Sequence, residues 1–301
     1  MTIGVTGGTG FVGKYVVAAL QAEGYTVIIF TRTPQPNTAN CRYAHWDYTS
    51  QTIDTTALAS CNAIIHLAGE PLLEKRFTPP QKALIIDSRS AATLFLVQAI
   101  EKFAPQCKRF IAASAIGYYK ADAEYPQLPV TENAAPDHDF LAEVVKAWEQ
   151  ASQTIAAHCP YTILRLGIVL GKDGAGWQQF VQPTKMGVNP LLAGGKQIVS
   201  WIHVQDLAAM FVYCLAHDQA NNIYNAVAPQ PCSYKTLMQT IIKARKAFAI
   251  PLVVPKFILQ LVLGEKAEMI TKSNTIAATA IQAQGFQFQF PTITQAVDDL
   301  V

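Results

Sequence analysis

Charge is scarce in this chain. Only 15% of its 301 residues are Asp, Glu, Lys or Arg, and the net charge is +2. There is no basic block, so nucleic acid and anionic membrane are not expected as partners. Half of the residues are hydrophobic, which marks a globular chain and not a disordered one. Cysteine is present without a pattern: Cys41, Cys61, Cys107, Cys159, Cys214 and Cys232 have neither disulfide-frame nor zinc-ligand spacing. They read as buried thiols of a reducing compartment, and no metal site is expected. No basic n-region with a cleavage site opens the chain, and the apolar stretches break well short of ~18 residues. Neither a secretory signal nor a membrane span is therefore expected, and the cytoplasm is the expected compartment.

What is present is a glycine run behind a short apolar strand: Ile3-Gly4-Val5-Thr6-Gly7-Gly8-Thr9-Gly10-Phe11-Val12-Gly13. A helix pattern follows from Lys14 to Leu20, then a second strand, Thr26 to Phe30. A strand, a tight glycine turn and a helix N-terminus together make a site for pyrophosphate. Backbone N–H groups and the positive helix end face the anion, and glycine permits close approach. Gly7, Thr9, Gly10, Phe11, Val12 and Gly13 are the candidate phosphate-side residues. The βαβ context is what turns a weak glycine triplet into a strong signal.

Strand and helix patterns then alternate. Cys41–Trp46 and Asn62–Ala68 read as strands, Pro80–Phe103 as one long helix, and Arg109–Ser114 as a strand. Phe140–His158 reads as a helix and Tyr161–Leu166 as a strand. The order predicts an α/β fold: a Rossmann-type, doubly wound parallel sheet with a smaller C-terminal α/β lobe. The expected division is 1–170 for nucleotide binding and 171–301 for the smaller lobe, with a late strand near 222–226 rejoining the first sheet. Gly187–Gly195 reads as a Pro/Gly-rich connection, and Phe286–Phe290 alternates like a half-buried strand.

The tip of the second strand selects the dinucleotide. A carboxylate there favours NAD, and an arginine accommodates the 2′-phosphate of NADP. Here the strand ends Phe30-Thr31-Arg32, so Thr31 and Arg32 favour NADP over NAD, with a solvated surface charge as the alternative for Arg32. Asp47 is placed to accept from the adenine amino group or to cap a turn. Leu67, Ala68 and Gly69 end a strand where small residues let the cofactor cross the sheet edge. Glu70, next along, faces ribose, substrate or water.

With these residues named, the chain resembles the extended short-chain dehydrogenase/reductase superfamily, the sugar-nucleotide epimerase and dehydratase group. The likeness rests on Thr6–Gly13, His66–Gly69, Leu164–Gly171 and Ile202–Ala208. Leu67–Pro71, Asp87-Ser88-Arg89, Ser114–Tyr119 and Trp201–His203 look like the narrower "epimerase family protein" group, which has its own C-terminal extension, similar to Ile250 onward. The resemblance implies NADP as cofactor and hydride transfer on an unidentified small molecule, sugar-nucleotide-like in the wider group. It makes Arg89 a cofactor-phosphate candidate; a helix-face arginine paired to Asp87 is the alternative.

That superfamily uses a tyrosine and a lysine one helical turn apart to move a proton while the nicotinamide moves a hydride. No tyrosine here is followed four residues later by lysine. In the helix that should carry the pair, either Ala142 and Lys146 or Leu141 and Val145 take those places. Ser114, Tyr118 and Tyr119 are the candidate substitutes on the substrate side, packing being the alternative for the aromatics. Trp177, Trp201 and Lys196 are candidates to flank the cleft. His203 and Asp206 read as a core histidine and a helix-start carboxylate. Two functions follow: an NADP-dependent oxidoreductase or epimerase-like enzyme, and a non-catalytic NADP-binding regulator. A small-molecule substrate is the expected partner, and a homodimer an allowed assembly.

Overall fold

The computed structural model describes residues 1–301 except 39–40, 73–74 and 218–221. In chain order the first half contains β1 Thr2–Thr6, α1 Phe11–Ala22, β2 Thr26–Thr31, β3 Cys41–Asp47, β4 Thr52–Ile53, α2 Thr55–Ala59 and β5 Ala63–His66. Then come α3 Pro79–Asp87, α4 Ser90–Phe103, β6 Arg109–Ala115, α5 Phe140–Gln153 and β7 Tyr161–Leu166. The second half contains β8 Ile168–Leu170, α6 Ala175–Lys185, β9 Val188–Leu192, β10 Ile198–Val199, β11 Trp201–His203, α7 Val204–Ala216 and β12 Asn222–Ala226. It closes with β13 Cys232–Ser233, α8 Tyr234–Ala244, β14 Ile250–Val254, α9 Lys256–Leu263, α10 Lys266–Thr271, α11 Thr279–Ala283 and α12 Ile293–Leu300.

Eight strands form one sheet in the order β12-β7-β6-β5-β1-β2-β3-β4. All neighbours run parallel except β3 and β4. The strand order reverses between β1 and β5, so their carboxyl ends flank a crevice, the place where such sheets take ligands. Alternation along each strand supplies two cores. Val27 and Ile29 of β2 pack with Val16 and Leu20 of α1 and Leu207 and Phe211 of α7. Ile28 and Phe30 pack on the opposite face with Leu96 and Ile100 of α4. Such strands, buried on both faces, read as continuous apolar runs.

A third core holds the C-terminal elements. Trp177, Trp201, Leu237, Phe290 and Val297 meet in it. α12 is opened by Thr292 and Gln295, which cap each other's backbone N–H groups.

Three local expectations need correction. The long apolar segment is two helices, because the chain turns at Ser88 and Arg89, where Arg89 caps α4 without a side-chain bond. Pro79–Phe103 is long and apolar enough to cross a membrane by length and composition alone, but half of it is buried in the fold. The Gly187–Gly195 connection contains β9, which β14 joins in parallel. Phe286–Phe290 forms no strand. Its Gln289 and Phe290 N–H groups are taken by the Asp206 carboxylate at 2.8 and 2.9 Å.

Candidate functional site

The glycine turn lies at the carboxyl end of β1. Gly7 holds φ +70°, and a β-carbon there would come within 2.8 Å of the Leu67 backbone. A β-carbon at Gly13 would collide with the Gly7 carbonyl oxygen. The turn and the end of β5 therefore approach backbone to backbone, which only glycine allows. α1 begins at Phe11 with Gly10 as N-cap; no side chain caps it and no acid stands in its first turn. Its N–H groups and positive end are left for an anion. The Phe11 ring packs at Gly171 and Gly174, leaving no room for side chains there. Lys14 and Tyr15 reach Asp173, tying α1 to the same segment.

Thr6 on β1 and Thr93 on α4 bracket the buried His66 ring at 2.6 and 2.9 Å. Burial drives the His66 pKa down to about 3, so the imidazole is neutral and braces the floor of the crevice. At the edge of the sheet, Arg32 is exposed beyond β2. Its charge acts on Asp47 and Tyr48. Asp47 is held by Thr49: the hydroxyl and then the backbone N–H keep its carboxylate below the usual range. It serves the turn alternative, with Arg32 beside it.

Arg89 is buried. Its guanidinium donates to the Glu70 carbonyl at 3.0 Å and the Ile85 carbonyl at 3.3 Å, and lies over the Trp148 ring. It makes no ion pair to Asp87 among the described residues. Burial lowers its pKa to about 10, with Glu70 pulling the other way. The Glu70 N–H is held by Ser88, and its carboxylate meets Lys75 at 3.4 Å. Gly69 lies directly against the guanidinium; a β-carbon there would come within 3.2 Å of it, so the Arg89 head would have to give way.

Ser114 and Tyr119 lie inside a buried network. Ser114 donates to Glu149 at 2.6 Å, and the same carboxylate accepts from Arg165 Nε and Nη2 at 2.7 and 2.8 Å. Arg165 Nη1 donates to the Tyr119 oxygen at 2.8 Å, and Tyr119 donates to Asn225 at 2.6 Å. Tyr119 is 0% exposed and burial pushes its pKa up, Arg165 opposing. Tyr118 stacks its ring on the Arg165 guanidinium at 3.6 Å. Burial works against the Arg165 charge, but the bonds to Glu149 outweigh it and hold its pKa above normal. The three expected donors are thus gathered around Arg165, and none of them borders the cavity beside it.

That cavity, of about 350 Å³, lies over the ends of β6 and β7. Its wall is mainly apolar: Ile116, Leu141, Val145, Leu166, Ile198 and Ile270 are among its lining residues. Of the two pairs on α5 considered for the tyrosine and lysine places, Leu141 and Val145 line the cavity. Ala142, in the other register, is fully buried. Lys272 reaches the wall but is tied to Asp137 and Asp139 at 2.5 and 3.0 Å; burial would lower its pKa, and these bonds raise it. Tyr234 also borders the cavity, and burial raises its phenol to about 12. Arg89 is the wall's cation without a carboxylate bond among the described residues. Trp177 and Trp201 belong to the third core, Trp201 donating to the Gln230 carbonyl, and Lys196 is exposed outside the cavity.

Glu149, Arg165 and Trp148 were not legible as site residues. Arg165 lies in a strand, Glu149 on a helix, and only the fold brings them together. His203 is buried, with Asp299 at 3.3 Å; burial lowers its pKa and Asp299 opposes. No cluster of metal-binding side chains occurs among the described residues.

Residues 3–226 match the family model described as the NAD dependent epimerase/dehydratase family. Residues 254–300 match a domain of unknown function, DUF1731. The chain is 30% identical over 308 residues to the human "Epimerase family protein SDR39U1", covering 100% of both. It is 30% identical over 304 residues to "Epimerase family protein YfhF" of Bacillus subtilis, covering 100% of this chain and 98% of the relative. Among solved structures, human SDR39U1 (isoform 2) with NADPH superposes with a TM-score of 0.87 at 26% identity, covering 100% of this chain and 99% of that one. A nucleoside-diphosphate sugar epimerase from Corynebacterium glutamicum gives 0.78 at 26% identity, covering 100% of this chain and 58% of that one.

Proposed function

Because the chain belongs to the NAD dependent epimerase/dehydratase family, we propose that it is an NADP(H)-dependent oxidoreductase of the short-chain type acting on an apolar carbonyl-like compound. The single observation that carries the reading is the uncapped N-terminus of α1 against the glycine turn, with an apolar cavity over the carboxyl ends of β6 and β7 in the same sheet. The groove fits a dinucleotide: a pyrophosphate meets the N–H groups of Phe11 to Gly13, and Arg32 offers a planar fork to a 2′-phosphate. A human relative that binds NADPH supports the choice of NADP over NAD. Bound there, the nicotinamide supplies a hydride donor or acceptor.

The cavity sets the substrate class. A sugar diphosphate calls for several cations and many hydrogen-bond donors. Here Lys272 is neutralised by two aspartates and most of the lining is aliphatic. An apolar molecule with one polarised oxygen fits better. Arg89, buried in the wall beside Trp148, is the group that steadies negative charge on that oxygen. With Leu141 and Val145 lining the cavity, the proton comes from water.

The same two apolar residues favour a second reading, in which the protein binds NADP without turnover and signals its occupancy. Turnover assays separate the two. NADPH oxidation is followed with apolar ketones, enones and quinones, beside a UDP-sugar. Oxidation with an apolar compound that Arg89→Met lowers at least about tenfold, at unchanged NADPH affinity, supports the enzyme. NADPH binding with no oxidation across the panel overturns it in favour of the second reading.

A further inference from the structure

The charge of this chain is unevenly placed. Segments 174–205 and 222–264 together hold seven Lys and Arg and no Asp or Glu, whereas the whole chain carries only +2. The remainder is therefore −5. These two segments meet in space, since β14 pairs with β9 and the Ile250 N–H donates to the Gly187 carbonyl. The sequence shows no basic block because the cations are scattered along it; the fold collects them.

The same region holds most of the exposed large apolar side chains among the described residues. Met186, Phe248 and Ile250 are 69%, 82% and 61% exposed, and Phe257, Leu261 and Val262 are 67%, 85% and 60% exposed. α9 turns Leu259 inward and leaves Phe257, Ile258, Leu261 and Val262 outside. Single exposed apolar residues are ordinary, but a cluster of this size marks a binding surface. Lys185, Lys243, Lys246 and Lys256 are all exposed in the same segments. Lys256 is met by Glu268 at 3.4 Å.

We propose that this face docks on an anionic lipid surface, with Phe257, Leu261 and Phe248 entering the headgroup boundary and the lysines facing lipid phosphates. Charge complementarity selects this occupant. A second copy of the chain would bring two sets of cations together, because the acids beside α9 are already taken, Glu268 by Lys256 and Glu265 by Lys82. Anionic lipid neutralises them while the boundary takes the apolar side chains. Met269 and Ile270 of α10, the helix after α9, line the cavity, so a docked chain holds its cavity wall beside the bilayer. That consequence rests on the apolar-substrate reading; the docking does not.

Flotation tests it with the full chain and vesicles of equal parts phosphatidylglycerol and phosphatidylcholine, beside pure phosphatidylcholine. The chain is expected to float with the anionic vesicles at low salt and to be released by high salt. Leu261→Glu, and separately the Lys243→Glu, Lys246→Glu pair, should each cut the bound fraction at least about tenfold. Melting temperature and NADPH affinity should stay unchanged, since these side chains are exposed. The proposal is overturned by absence from anionic vesicles, or by binding that neither variant alters. It is equally overturned by a dimer in sedimentation that Leu261→Glu dissolves while vesicles bind nothing, which assigns the face to a second copy. Flotation is read without turnover, so it fails or succeeds independently of the oxidoreductase reading.

Discussion

Removing Arg165 should unfold the site before it changes any chemistry. Its guanidinium supplies two of the three bonds to the buried Glu149 carboxylate, leaving only the Ser114 hydroxyl at 2.6 Å when it goes. It also bonds the Tyr119 oxygen and the Glu132 carbonyl and carries the Tyr118 ring. Arg165 and Glu149 are 2% and 4% exposed, so water cannot replace what is lost. Breaking a buried pair by removing one partner costs about 3–5 kcal/mol. Arg165→Met is expected to lose that much in urea unfolding, and Glu149→Gln a similar amount. The double variant Arg165→Met, Glu149→Leu removes both charges and should lie closer to wild type than the two single losses added together, by about 2 kcal/mol or more. Strict additivity, or a loss under about 1 kcal/mol in either single variant, refutes the claim that the network is a coupled unit.

Three further outcomes follow from the geometry. Gly13→Ala should abolish NADPH binding and lower the unfolding midpoint, because the new methyl collides with the Gly7 carbonyl oxygen; binding within about threefold of wild type would contradict the glycine cradle. His66 has a folded pKa depressed to about 3 against about 6.5 unfolded, so the unfolded chain binds the extra proton first. Its contribution to stability is present above pH ~6.5 and falls by about 1.4 kcal/mol per pH unit below that, toward pH 3; His66→Gln should flatten the slope in urea titrations across that window. Asp206→Ala leaves the Gln289 and Phe290 N–H groups without their carboxylate and should expose the 286–301 segment to protease at least about tenfold faster; an unchanged digestion rate would contradict it.

Period and punctuation carried the fold. Continuous apolar strands such as Ile28–Phe30, split residue by residue between two cores, signal a sheet covered on both faces. The glycine turn was readable because its spacing has one stereochemical use. The Phe286–Phe290 segment misled because alternation reports burial on one side, not a strand partner; Asp206, eighty residues earlier, takes the role of the partner. Ser114 and Tyr119 could not be judged from order along the chain. Whether a hydroxyl faces a cavity or a buried carboxylate depends on Glu149 and Arg165, which converge from a helix and a strand. Which of the two pairs on α5 lines the cavity was likewise a matter of helix rotation, set by packing of Ala142 against its neighbours and not by composition.

Everything turns on the dinucleotide groove. Titration calorimetry of NADPH and NADH into the wild-type chain and Arg32→Glu measures it directly. Binding of NADPH tighter than NADH by about tenfold or more, with that preference erased in Arg32→Glu while NADH affinity holds, is the predicted result. No heat with either dinucleotide, or an undiminished preference in the variant, would contradict it.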